Sequence, residues 1–219
     1  MISTLFQNPI VFFIYIVALL VAISVHEFSH AFTAEKLGDP TPRLQKRITL
    51  NPLAHIDLYG LLFLFFVGFG WGKPVVFDPF NLKNPRRDAA IISLAGPLSN
   101  FILAIVLAIT LRLFILIDFP FLQTIGLILF IPLIQLNIIL GVFNLLPIHP
   151  LDGFKVVGGM LSPEKAHEWY QLERYGYLFL IFLIIPFFGN HSMIDVFLRP
   201  VTGFIFHLLI PQFSTSGII

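Results

Sequence analysis

Cysteine is absent from this chain, so no disulfide, thiolate metal site or cysteine nucleophile is available to it. Charge is also scarce. Asp, Glu, Lys and Arg together make up 11% of the residues, whereas a soluble domain carries roughly a quarter. The formal net charge is +1 and no long basic block occurs, so nothing points to a nucleic-acid partner. Internal repeats and low-complexity tracts are missing too. The first apolar run has neither the basic start nor the small-residue cleavage site of a signal peptide, and it contains the charged stretch HEFSH.

What the chain has in abundance is apolar surface: 57% of its residues are hydrophobic and 26 of its 219 are Phe. Apolar runs near 20 residues recur, which predicts an α-helical polytopic membrane protein with about five to six transmembrane helices. A single integral-membrane domain, 1–219, accounts for the whole chain and leaves no room for an appended soluble module. The spans expected are Pro9–Ala31, Ala89–Phe114 and Phe121–Leu146, with shorter apolar runs at Tyr177–Phe188 and Ile194–Ile210. Ser162–Arg174 reads as a surface helix, with Ser162 at the N-cap, Pro163 at the first position and Glu164 at the positive end. Leu58–Phe69 is too short to span. Followed by Gly70, Gly72 and Pro74, it is expected to form a small membrane-associated re-entrant or extended β segment between the first two spans.

Charge sets the orientation. Of the 13 Lys and Arg residues, eight lie between Lys36 and Arg87, which makes that region cytoplasmic by the positive-inside rule. The first span then runs inward, the second outward and the third inward. HEFSH and the stretch Asn144–Asp152 accordingly fall at one depth, both toward the cytoplasm.

His26-Glu27-Phe28-Ser29-His30 is an H-E-x-x-H motif. Residues at i and i+4 share one helix face, so both imidazoles can reach a single ion, and the spacing suits zinc. Glu27, beside the first His, is placed to take a proton from water at that ion. Ionisable residues inside an apolar helix are costly and are read as functional. A zinc hydrolase needs three protein ligands and an open position. Asp152 lies at the matching depth, on a turn between Pro150 and Gly153. Its rivals are His149, another imidazole, and His55 and Asp57 in the first loop. Gly96-Pro97 and Asn100 are expected either to kink the second span for packing or to turn a polar group toward the site.

Taken together, HEFSH, NPLAHIDLYG, GWGKPVVFDPFNL, AGPLSN and NLLPIHPLDG resemble the site-2 protease family of intramembrane zinc metalloproteases. The likeness is to the minimal prokaryotic members without PDZ or CBS modules, and it runs in order from His26 to Gly153. The resemblance implies that His26, His30 and Asp152 hold one Zn2+ per chain and that Glu27 is catalytic. It implies that Asn144 holds substrate or the oxyanion and favours a site role for Asn100; His149 and His55 are further accessory candidates. It also implies single-span membrane protein substrates in a lipid bilayer, the cell membrane of a bacterium or archaeon, with the active site toward the cytoplasm. Two positions depart from the pattern: Leu58 and His149 stand where relatives often have Pro. The rival reading is a catalytically silent metal-binding scaffold or a metal transporter. A transporter would spread ligands over several spans and show inverted repeats.

Overall fold

The computed structural model describes residues 6–67, 70–117, 119–185 and 192–210. It is mostly helical, and three helices are long and apolar enough to cross a membrane: α1 (Pro9–Lys36), α3 (Pro85–Leu116) and α4 (Pro120–Asn144), with α2 (Leu58–Val67) between the first two. All three long helices open with Pro at the first position, where its missing N–H costs no hydrogen bond. Asn8 caps α1 by accepting from the Val11 N–H at 3.3 Å.

The three long helices pack as a bundle with α3 in contact with both others. The apolar core joins Ala104, Ala108 and Leu111 of α3 to Ile131, Ile134 and Ile138 of α4. Small side chains at 104 and 108 share one face and let the helices approach closely, the way helices associate where lipid is as apolar as the protein. Hydrogen bonds between helices set the directions. His30 meets Ile92, whereas His26 and Ala22 meet Asn100, so α1 and α3 are antiparallel. Asn137 meets Asn100 and Gln123 meets Ile115, so α4 is antiparallel to α3, and the C-terminal ends of α1 and α4 lie at the same end of the bundle.

The segment between α1 and α3 corrects one expectation. Leu58–Val67 is an α-helix, and the β element there amounts to one antiparallel bridge, Ile56 to Gly72. The Lys73 N–H donates to the His55 carbonyl at 2.8 Å, so the chain leaves and returns at one point. The glycines fall after the helix, and Gly68 and Phe69 lie outside the described residues. Asp57 starts the helix by accepting from the Gly60 N–H at 2.8 Å. An apolar run with a capped start satisfies its own backbone, whereas an extended one would need a partner strand. Ten residues rise about 15 Å, too little to cross a bilayer. Phe65 near its tip meets Phe12 of α1, ring centroids 5.6 Å apart.

Beyond α4 come α5 (Asp152–Met160), α6 (Pro163–Tyr170), α7 (Glu173–Ile184) and α8 (Met193–Leu209). Ser162 caps α6 as expected, accepting from Lys165 N–H. The surface helix ends earlier than Arg174, because Glu173 and Arg174 begin α7. At 12 and 17 residues, α7 and α8 are shorter than the three long helices. The Arg112 guanidinium near the end of α3 donates to the Leu209 carbonyl at 2.6 Å, satisfying the C-terminal end of α8.

Candidate metal centre

His26 and His30 lie one turn apart on α1, both buried, with their Nε2 atoms 3.0 Å apart. Asp152, the first residue of α5, brings Oδ2 to 3.1 Å from His26 Nε2 and 3.2 Å from His30 Nε2. Among the described residues these three form the one group whose ligand atoms converge, all within 4.8 Å.

The donor set fits zinc, and the hydrogen bonds around it say why. His30 Nδ1 is 2.7 Å from the Ile92 carbonyl, which can only accept, so that nitrogen carries the proton. Pro97 lacks the N–H that would bond Ser93, so it interrupts the α3 ladder beside this carbonyl. His26 Nδ1 lies 2.7 Å from Asn100 Oδ1. The Asn100 amide cannot be the other way round, because its Nδ2 donates to the Ala22 carbonyl at 3.0 Å and to Asn137 Oδ1 at 2.8 Å. Both rings thus carry a proton on Nδ1 and direct Nε2 toward each other and toward a carboxylate. With neutral rings these are three acceptors 3.0 to 3.2 Å apart, an arrangement that a cation between them, a proton or a metal ion, relieves. Ligands about 2.0 to 2.1 Å from zinc on one tetrahedral face stand about 3.3 Å apart, close to this triangle. Gly96 leaves the space: a Cβ there would lie 2.4 Å from His30 Nε2 and 2.7 Å from His26 Cε1.

Glu27 Oε2 accepts from the Val75 N–H at 2.9 Å, which holds the stretch 73–78 against α1. Two further groups hold that stretch. The Asp39 carboxylate, just past α1, accepts from Asp78 N–H at 2.7 Å, Asn81 Nδ2 at 2.8 Å, and both Thr41 N–H and Thr41 Oγ1. Burial pushes the Asp39 carboxyl upward, but these four donors outweigh it and hold it below the usual carboxylate range. Arg47, buried, donates to the carbonyls of Ala54 and Lys73. Burial lowers its pKa, opposed by the charge of Glu27.

The remaining sequence candidates have other partners. The Asn144 amide donates to the Leu140 carbonyl of its own helix at 3.0 Å. His55 is fully buried in the first loop, with Nε2 2.8 Å from the Thr49 carbonyl, and is a loop residue. Asp57 is the cap of α2. His149 stacks edge-on against Phe154 and Tyr177, with Nδ1 3.5 Å from Glu173. Burial is the main cause lowering its pKa, with Glu173 opposing and Lys155 assisting. Asn100, one of the accessory candidates, does reach the centre. Asn137, Arg47 and Asp39 were not singled out from the sequence. For Asn137 a signal existed, a lone amide within an otherwise apolar span.

Long apolar helices that bring an H-E-x-x-H pair against a carboxylate from another helix define a zinc metalloprotease built into the membrane. The comparisons agree. The model of peptidase family M50 matches residues 14–126, which include the HEFSH motif, Gly96 and Asn100, and the chain belongs to this family. "Putative zinc metalloprotease YwhC" of Bacillus subtilis is 36% identical over 181 residues, 81% of this chain and 83% of that protein. "Putative zinc metalloprotease Rip2" of Mycobacterium tuberculosis is 32% identical over 215 residues, 95% of this chain and 76% of its own length. "Zinc metalloprotease MJ0392" of Methanocaldococcus jannaschii is 29% identical over 177 residues, 80% of this chain and 39% of that longer protein. No solved structure matches the chain.

Proposed function

We propose that this metalloprotease is an intramembrane zinc endopeptidase that cuts single-span membrane proteins within their transmembrane helix. The observation carrying the reading is the triangle of His26 Nε2, His30 Nε2 and Asp152 Oδ2, 3.0 to 3.2 Å apart. These three residues are the ligands of one zinc per chain, and Glu27, next in sequence to His26, is the general base. When bound, zinc supplies Lewis acidity, making water a nucleophile near neutral pH and polarising a carbonyl. Glu27 takes the proton of the attacking water and delivers it to the leaving amine as the peptide C–N bond breaks. Asn144 has one N–H engaged with Leu140, and its second N–H donates to the developing oxyanion.

The eight basic residues between Lys36 and Arg87 support a cytoplasmic position for the loops flanking α2, and hence for the active site, in the cell membrane of a bacterium or archaeon. In this reading α7 and α8 complete a bundle of five to six membrane helices. A helical substrate shields its peptide bonds within its own hydrogen-bond ladder, so it must unwind before it is cut. The extended stretch 73–78 beside Glu27 offers backbone against which an unwound segment can pair.

The test uses purified protein and matched single-span substrates that differ only in carrying Asn-Pro or Leu-Leu near the middle of the span. Wild type should cut the Asn-Pro span faster and should stop when a chelator removes zinc. Glu27→Gln should keep zinc and cut neither, since an amide cannot accept the proton. Cleavage by Glu27→Gln within a few-fold of wild type removes Glu27 from the base role. Equal rates on the two spans show that unwinding is not limiting.

A further inference from the structure

Two amides are buried side by side in the bundle, and the second has no role in the reading above. Asn137 lies in α4, fully buried, beside the fully buried Asn100 of α3. Burying an amide in an apolar bundle is costly unless its hydrogen bonds are made. Here they form one directed chain. Asn137 Nδ2 donates to the Leu133 carbonyl at 2.8 Å, which leaves its Oδ1 facing α3. That oxygen accepts from Asn100 Nδ2 at 2.8 Å. The other Nδ2 hydrogen of Asn100 goes to the Ala22 carbonyl at 3.0 Å, and its Oδ1 accepts from His26 Nδ1 at 2.7 Å.

The direction of this chain matters at its end. If the Asn100 amide flipped, its NH2 would face His26 Nδ1, which would then have to accept. The proton of the ring would move to Nε2, the atom turned toward His30 and Asp152. Two acceptors oppose that flip, the Ala22 carbonyl and Asn137 Oδ1, because each would then face an oxygen. Ala22 is a backbone group of the helix that carries His26. Asn137 is the side chain that adds the second restraint, from another helix.

We infer that Asn137 is a positioning residue for the metal centre: through Asn100 it fixes the tautomer in which His26 Nε2 is free to bind zinc. The inference rests on His26 being a zinc ligand. Removing an outer partner of a metal-binding histidine typically weakens metal affinity about 10- to 100-fold.

The experiment measures zinc affinity by competition with a chromogenic chelator, together with the melting temperature of the metal-free protein. The variants are His26→Ala, Asn137→Leu, Asn100→Leu, and the Asn137→Leu/Asn100→Leu pair. Asn137→Leu, close in size but without an acceptor, should weaken zinc binding about 10- to 100-fold. In the Asn100→Leu background the same change should do nothing more, because the link to His26 is already cut. Asn137→Gln keeps both the amide acceptor and the amide donor and should retain more zinc affinity than Asn137→Leu. Should the Leu variant fail to fold, Asn137→Ala against Asn137→Gln reads the same gap. The inference is overturned if Asn137→Leu, or Asn137→Ala in its place, lowers only the melting temperature and leaves zinc affinity unmoved. It is equally overturned if the losses from Asn137 and Asn100 simply add. His26→Ala separates the two levels: zinc retained in that variant refutes the ligand reading itself, whereas zinc lost there but kept in Asn137→Leu refutes only the relay.

Discussion

Gly96→Ala adds one methyl group to the wall of the metal centre. The new Cβ would stand 2.4 Å from His30 Nε2, 2.5 Å from His30 Cε1 and 2.7 Å from His26 Cε1. Carbon atoms rest about 3.5 to 4.0 Å apart, so the rings or the helix must give by about 1 Å. Neither ring is free to do so. His30 is held to the Ile92 carbonyl and His26 to Asn100, each at 2.7 Å. Moving either ring by that amount breaks one of these bonds or spreads the triangle of ligand atoms. Overpacking of this kind costs about 1 to 3 kcal/mol. Alanine's better helix propensity returns about 1 kcal/mol, but it does so with or without metal. The loss therefore falls on zinc binding, and 1 to 3 kcal/mol corresponds to an affinity about 5- to 150-fold weaker. Chelator competition on the purified variant reads this directly, with the metal-free melting temperature as the control. Zinc bound within two-fold of wild type would mean that the site does not need the space Gly96 leaves, and the packing argument would fail.

Asp152→Ala should lose most bound zinc while His149→Ala keeps it, measured as metal per chain after purification; the opposite pattern would make His149 the third ligand. The Asp39 carboxyl is held below its ordinary value, so its contribution to stability is complete above about pH 4, the unfolded carboxylate range, and is lost as pH falls through the lower folded value. Asp39→Asn should thus lower stability at neutral pH by about 2 to 3 kcal/mol, the scale of hydrogen bonds to a charged group. It should also flatten the decline of stability in acid, and an acid unfolding curve parallel to wild type would contradict this. Because the chain has no cysteine, Gln45→Cys in the exposed first loop gives a unique label site. An impermeant thiol reagent should reach it only from the cytoplasmic side, and labelling from outside would invert the proposed orientation.

Apolar run length placed the three long helices to within a few residues at most ends, because a membrane helix is set by local composition and little else. The pair His26 and His30 was legible for the same reason, since helical spacing alone puts i and i+4 on one face. Distant chain segments were harder. Spacing left Asp152 level with His149, His55 and Asp57, and only the family likeness ranked it first. The packing of α5 against α3 brings its carboxylate to the two imidazoles of α1, and His149 goes to Glu173 and Tyr177. The helix Leu58–Val67 was read as re-entrant or extended because the glycines and Pro74 beyond it were taken to argue against a helix there, whereas Gly70 and Gly72 only follow it.

The sequence by itself determined the class of the protein, the positions of the three long apolar helices, and two of the three residues that converge at the candidate metal centre. Each of these follows from composition or from the period of a single helix. Only the tertiary structure decided which carboxylate closes the triangle, which amides orient His26, and which backbone N–H receives Glu27. Those contacts join residues 37 to 126 positions apart, and no local pattern encodes them. Asn137 illustrates the division. Its polarity within an apolar helix is visible in the chain, but its partner Asn100 is fixed only by the antiparallel packing of α3 between its neighbours.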